Sequence, residues 1–115
     1  MSPSTVELLR DILREAEFLS AQAGLTTGET FLHDEVLKRA FVRSVEVIGE
    51  ATKTVPEETR SEVPALEWKK TAGMRDRLIH EYGGVDYQIV RDVAASKAAD
   101  LAAKLRPILE ASGQS

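Results

Sequence analysis

Apolar residues recur at three- and four-residue intervals along almost the whole chain, and that period restricts the fold to packed helices. In the first segment Val6, Leu9, Ile12, Leu13, Ala16 and Leu19 form one stripe. A longer stripe follows in Leu37, Ala40, Phe41, Val45, Ile48, Ala51 and Val55. A third segment places Trp68, Ala72, Leu78 and Ile79 on its apolar side, and a fourth runs through Val90, Val93, Ala94, Ala98, Leu101, Leu105 and Ile108. No segment shows the period-two alternation of a half-buried strand.

The breaks between stripes carry helix-ending chemistry. Ser4 with Glu7 reads as a capping box that starts the first helix, and Gly24 as its stop. Thr26, Thr27, Gly28 and Thr30 make a polar turn. The second helix begins near Asp34, or at Thr30 if the short Thr30–His33 piece joins it, and Pro56 ends or bends it. Glu57 to Arg60 suits one helical turn, and Pro64 marks a connector. The third helix is expected from Leu66 or Glu67 towards His80, stopped by Gly83-Gly84. Asp86 caps the fourth, in which Pro107 either kinks the helix or opens a last short turn. The expectation is an all-α fold: an antiparallel bundle of four main helices plus short helical turns. One helical domain spans residues 1–115, with its core at about 4–110 and a frayed tail at 112–115. Gly49, inside the second helix, costs about 1 kcal/mol of helix propensity. A close helix–helix or chain–chain approach is one reason to retain it.

Composition narrows the function. The chain is 43% hydrophobic and 30% charged, which fits a soluble globular protein. It has no cysteine, so disulfides and thiolate metal sites are excluded and a reducing, cytoplasmic location is expected. The first residues lack a basic, apolar leader, and no apolar run is long enough to span a bilayer, so no membrane association is expected. The net charge is −4, so contact with RNA would have to be local. Lys69, Lys70, Arg75 and Arg77 stand against one acid, Asp76, between Trp68 and His80. Such a basic island also suits an ordinary solvated helix face. Phosphate-binding glycine loops, His-Glu-x-x-His and paired Glu-x-x-His are all absent, so neither metal nor cofactor is expected.

The chemistry concentrates in Arg75–Tyr82, R-D-R-L-I-H-E-Y. Arg75 offers a fixed charge and a planar fork for phosphate oxygens. His80 can move a proton near neutral pH. Asp76, four residues earlier, would share its helix face and could orient the imidazole. Tyr82 adds a hydroxyl, and Arg77 more positive charge. This is a minimal kit for metal-independent RNA cleavage: the 2′-hydroxyl attacks the phosphate, His80 moves a proton and Arg75 stabilises the transition-state charge. The same residues also suit a plain surface ion pair. Ideal helix geometry resists convergence, because Arg75 and His80 lie roughly 140° apart and Tyr82 about 10 Å from Arg75 along the axis. Either the helix unwinds near His80 or a second chain completes the site.

R-D-R-L-I-H-E-Y resembles the R-x-x-x-x-H-x-Y motif of HepT-like proteins in the HEPN superfamily. R-S-V-E-V-I-G-E-A at Arg43–Ala51, P-A-L-E-W-K-K-T-A-G-M-R before the motif and G-V-D-Y-Q-I-V after it resemble the family as well. The likeness runs in order from about Val6 to Leu109. It implies a HEPN-like bundle in which Arg75 and His80 match the catalytic pair and Tyr82 the motif tyrosine. Asp76 fills a position often held by Asn. It further implies a two-fold homodimer with the motifs facing a shared cleft, and a toxin role opposed by a nucleotidyltransferase antitoxin of the MNT type. In some members that partner adds AMP to the tyrosine, here Tyr82, which would place negative charge and bulk in the RNA cleft.

Lys69 and Lys70 are RNA-contact candidates. Trp68 reads as core, with base stacking a lesser use. His33 reads as structural or solvated, Tyr87 as packed beside the fourth helix cap, and Glu46 with Glu50 as polar contacts of bundle or dimer. Two readings stand beside the nuclease. One is a non-catalytic nucleotide- or partner-binding subunit, which the acidic charge suits; the other is a structural helical dimer.

Overall fold

The computed structural model describes residues 1–80 and 84–113, with His80 described through its backbone. Among the described residues the chain forms α1 (Pro3–Leu25), α2 (Gly28–Leu32), α3 (Glu35–Thr54), α4 (Glu57–Glu62), α5 (Trp68–Ala72), α6 (Met74–Leu78), β1 (Ile79–His80), β2 (Gly84–Val85), α7 (Tyr87–Ser96) and α8 (Ala98–Ala111). The fold is all-α, as the periodicity requires. No helix among the described residues is long and apolar enough to cross a membrane.

The elements start where local chemistry satisfies free backbone N–H groups. Ser2, rather than Ser4, caps α1: its side chain accepts from Thr5 N–H, and Pro3 occupies the first turn, where its missing N–H costs nothing. Thr27 caps α2, Asp34 caps α3 and Asp86 caps α7 in the same way. The piece around Thr30–Leu32 is thus a separate short helix, and α3 begins just after Asp34. The end of α3 carries a further fastening: the Arg60 guanidinium donates to the carbonyls of Thr52 (2.8 Å), Lys53 (3.2 Å) and Val55 (3.1 Å), folding α4 onto it.

Helix α1 lies between α3 and α8 and runs antiparallel to both. Glu15 accepts from Ser44 at 2.7 Å, while Phe18 meets Phe41 edge-on at 6.1 Å, so position rises along one helix as it falls along the other. Glu17 pairs with Arg106 at 3.0 Å, and the start of α1 reaches Ser112. The core at their junction holds Leu9, Ile12, Leu19, Phe41, Ile48 and Leu105, each at most 1% exposed. Full burial of such side chains contributes about 1.5–3 kcal/mol each. Arg91 of α7 donates to the carbonyls of Ala23 and Thr26, tying α7 to the end of α1. The expected fourth helix is two helices, broken at Lys97, and Pro107 sits inside α8. Of the expected frayed tail, Ser112 and Gly113 continue from α8 as a turn; residues 114–115 lie outside the described residues.

The third expected helix departs most from its pattern. Gly73 separates α5 from α6, and the helix ends at Leu78, not at Gly83-Gly84. Ile79 is extended (φ −119°, ψ 108°), and β1 pairs antiparallel with β2, Ile79 opposite Val85 and His80 opposite Gly84. Ile79 and Val85 are β-branched, suit extended backbone and both pack on the core. Gly84 has φ +79°, a left-handed value that glycine takes without strain. A two-residue ladder therefore exists where no strand was expected, too short for alternation to betray it.

Candidate functional site

Helix α6 is five residues long and carries three of the candidate residues on different sides. Met74 and Leu78 are buried and anchor it to the core. Arg75 faces α3 at Gly49: a Cβ built on Gly49 would lie 3.2 Å from Arg75 Cβ and 3.5 Å from the Ala72 carbonyl oxygen. The missing side chain at Gly49 thus sets how closely α6 approaches α3. Arg75 stays half-buried, its side chain 40% exposed.

Asp76 stands beside Arg75, with 3.6 Å between guanidinium and carboxylate, and faces Lys53 of α3 at 3.8 Å. These are long contacts open to solvent, worth at most about 1 kcal/mol each. The expected Asp76–His80 helix face does not form, because the helix has ended before His80. The backbone has left the helix by His80: Arg75 is helical and His80 extended. Tyr82 lies outside the described residues.

Arg77 points to the other side of α6 and donates to the Lys70 carbonyl at 3.0 Å. Lys70 pairs with Glu67 at 2.9 Å. Hydrogen bonding and charge from Lys70 hold the Glu67 carboxyl below its ordinary value; desolvation opposes them, and the charges of Lys97 and Lys104 add smaller lowering effects. Lys69 is exposed on α5. The predicted basic island is therefore divided: Arg75 and Asp76 lie towards α3, while Lys70 and Arg77 line a pocket facing α7 and α8.

Lys53, Lys97 and Lys104 escaped the sequence reading. Lys53 and Lys104 sit on amphipathic helices and Lys97 at the junction of α7 and α8, all distant in sequence from Arg75–Tyr82, and nothing local marks them. Trp68 is core: 9% exposed, its ring N–H donating to the Val63 carbonyl at 2.9 Å, which leaves no face for a base. His33 ends α2 and is exposed. Tyr87 opens α7 half-buried, with Lys38 Nζ 4.4 Å from its ring centre. Among the described residues no group of three His, Cys, Asp or Glu side chains is placed to hold a metal ion.

A family model described as "Ribonuclease HepT-like" matches residues 6–108. The chain belongs to the HepT-like ribonuclease family. The HepT-like match runs from α1 into α8, so it includes Gly49, Arg75 and the β1–β2 pair alike. A protein of Caldanaerobacter subterraneus subsp. tengcongensis named as a candidate RNase is 45% identical over 89% of this chain and 91% of its own. Another named in the same way, from Methanocaldococcus jannaschii, is 39% identical over 77% of this chain and 74% of its own. One from Thermococcus cleftensis, named "Probable ribonuclease HepT", is 36% identical over 78% of this chain and 82% of its own. No solved structure matches significantly.

Proposed function

We propose that this HepT-like chain is a metal-independent endoribonuclease acting through Arg75 and His80 as a homodimer. The observation that carries the reading is the change from helix to extended backbone between the two residues. On one straight helix they would diverge by roughly 140°. With α6 held at Gly49 and His80 beyond its end, that constraint is lifted.

In the reaction the 2′-oxygen forms a bond to phosphorus and the bond from phosphorus to the 5′-oxygen breaks. His80 takes the 2′-hydroxyl proton and returns a proton to the departing 5′-oxygen. Arg75 binds the charge that grows on the non-bridging oxygens. The products are a 2′,3′-cyclic phosphate and a free 5′-hydroxyl. Lys69, Lys70 and Arg77 add positive charge near the strand, and Asp76 tempers it beside Arg75.

The biological reading is the toxin half of a toxin–antitoxin pair, one domain acting in the cytoplasm. The partner is an MNT-type nucleotidyltransferase. Tyr82 Oη would attack the α-phosphorus of ATP, pyrophosphate would leave, and the attached AMP would block the RNA path.

The test compares the full chain with Arg75→Ala and His80→Ala on single-stranded RNA, with and without EDTA. Cleavage to cyclic-phosphate ends, unaffected by EDTA and lost by at least about a hundredfold in His80→Ala, is expected. Equal RNA patterns in all three proteins would sink the nuclease reading, and a requirement for a divalent ion would sink metal independence. Growth arrest on expression, relieved by the nucleotidyltransferase with a mass gain of AMP on Tyr82, tests the toxin pair. Light scattering tests the dimer.

A further inference from the structure

Behind α6 lies a pocket of about 110 Å³, between α5–α6 on one side and α7–α8 on the other. Its apolar walls are Leu66, Met74, Val93 and Leu101. Its rim carries Lys70, Arg77, Lys97 and Lys104 against the carboxylates of Glu67 and Asp100. The rim is therefore cationic in excess on a chain whose net charge is −4. Lys70 is paired with Glu67, and Lys104 with Asp100 at 2.9 Å. Lys97 makes no ion pair among the described residues, and Arg77 spends one nitrogen on the Lys70 carbonyl. An apolar cavity with a few convergent polar groups is the general form of a ligand site.

We infer that this pocket holds one pyrimidine nucleotide of single-stranded RNA, the base against the apolar walls and the flanking phosphates on Lys97 and Arg77. The inference rests on the nuclease reading and gives it a substrate subsite. Size excludes a double ring: a cavity of about 150 Å³ accepts benzene, and this pocket is smaller. The pocket has an open mouth, so a six-membered base enters while its sugar and phosphate remain at the rim. Charge favours a polyanion. Position favours the substrate strand, because residues two apart on a helix point about 160° apart. Arg77 faces the pocket and Arg75 the opposite side, so a strand crossing α6 can place a base in the pocket and a nearby phosphate at Arg75.

The test uses the full chain carrying His80→Ala, which keeps oligonucleotides intact, and measures Kd for labelled hexauridylate, hexaadenylate, an abasic hexamer and free UMP. Hexauridylate is expected to bind at least about tenfold more tightly than the abasic strand, as one recessed base warrants. Val93→Trp, which plugs the pocket, is expected to remove that preference while leaving the abasic strand's affinity unchanged. Lys97→Glu is expected to weaken both strands and to flatten the salt dependence. UMP binding that is lost in Val93→Trp would support the same pocket with a free nucleotide as a second source of the ligand. Equal affinity for base-bearing and abasic strands would overturn the inference. So would unchanged hexauridylate binding in Lys97→Glu, which reads the pocket even if Val93→Trp fails to fold. A pocket variant that changes oligomeric state instead of RNA affinity would overturn it too, by assigning this face to a protein partner. Cleavage by the parent chain with pocket variants of unchanged affinity would discard the pocket and leave the nuclease standing.

Discussion

Gly49 of α3 closely faces Arg75 of α6: a Cβ on the glycine would lie 3.2 Å from the arginine Cβ. The α3 helix accepts a residue that costs about 1 kcal/mol of helix propensity, and the return is a close seat for α6. Gly49→Val is expected to lower stability by about 1–3 kcal/mol through overpacking, despite its better helix propensity. Because the displaced group is Arg75, RNA cleavage should fall further than the loss of folded protein explains. Thermal melts beside single-turnover cleavage at a temperature where both proteins are folded check this; equal specific activity would count against the contact's importance.

Asp76 lies between Lys53 and Arg75 at 3.8 and 3.6 Å, and only the arginine of the three is half-buried. Asp76→Asn is expected to change stability by no more than about 1 kcal/mol. It removes a negative charge next to Arg75, so RNA affinity should rise modestly at low salt and the gain should shrink as salt increases. Urea melts and binding isotherms at two ionic strengths measure both effects.

Trp68 is the one tryptophan of the chain and is closed off in the core. Trp68→Ala is expected to cost about 3–5 kcal/mol. Trp68→Phe keeps most of the packing and loses the bond to the Val63 carbonyl, at about 1 kcal/mol. Intrinsic fluorescence should stay unquenched when RNA binds, since no base can reach the ring. Strong static quenching on titration with hexauridylate would contradict this burial.

Glu67 is held below the ordinary carboxylate value, first by its hydrogen bond to Lys70 and by that lysine's charge. A lowered folded-state pKa means a stabilising contribution that is present above the unfolded carboxylate pKa. It is lost as pH falls through the lower, folded value. NMR titration of Glu67 should show the depression, and Lys70→Met should move it back upward. An unchanged titration in Lys70→Met would show that the pair is not formed in solution.

The helical stripes, the helix start near Asp34 and the cap at Asp86 were legible in the sequence, because capping and amphipathic spacing are local properties, whereas Thr27 read as a turn residue and caps the short α2. Ser2 was harder to place, since Ser4 with Glu7 offers a competing local signal and only the backbone shows which serine accepts. The end of α6 at Leu78 was hidden for a different reason. Ile79 extends because it pairs with Val85 and packs on the core, and that partner lies beyond the helix period.

By itself the sequence determined an all-α chain and an Arg75–His80–Tyr82 series in the order of a HepT-like ribonuclease; both are matters of residue type and spacing. Only the tertiary structure decided that the basic island splits across α6. There Arg75 sits against Gly49, while Arg77 and Lys70 join Lys97 and Lys104 around an apolar pocket. The reason is distance along the chain: Lys97 lies at the junction of α7 and α8 and Lys104 on α8, and packing these helices behind α5 and α6 makes both lysines neighbours of Arg77. The Arg75–Tyr82 stretch thus fixes which groups are present, and the packing around α6 fixes which way Arg75 and Arg77 face.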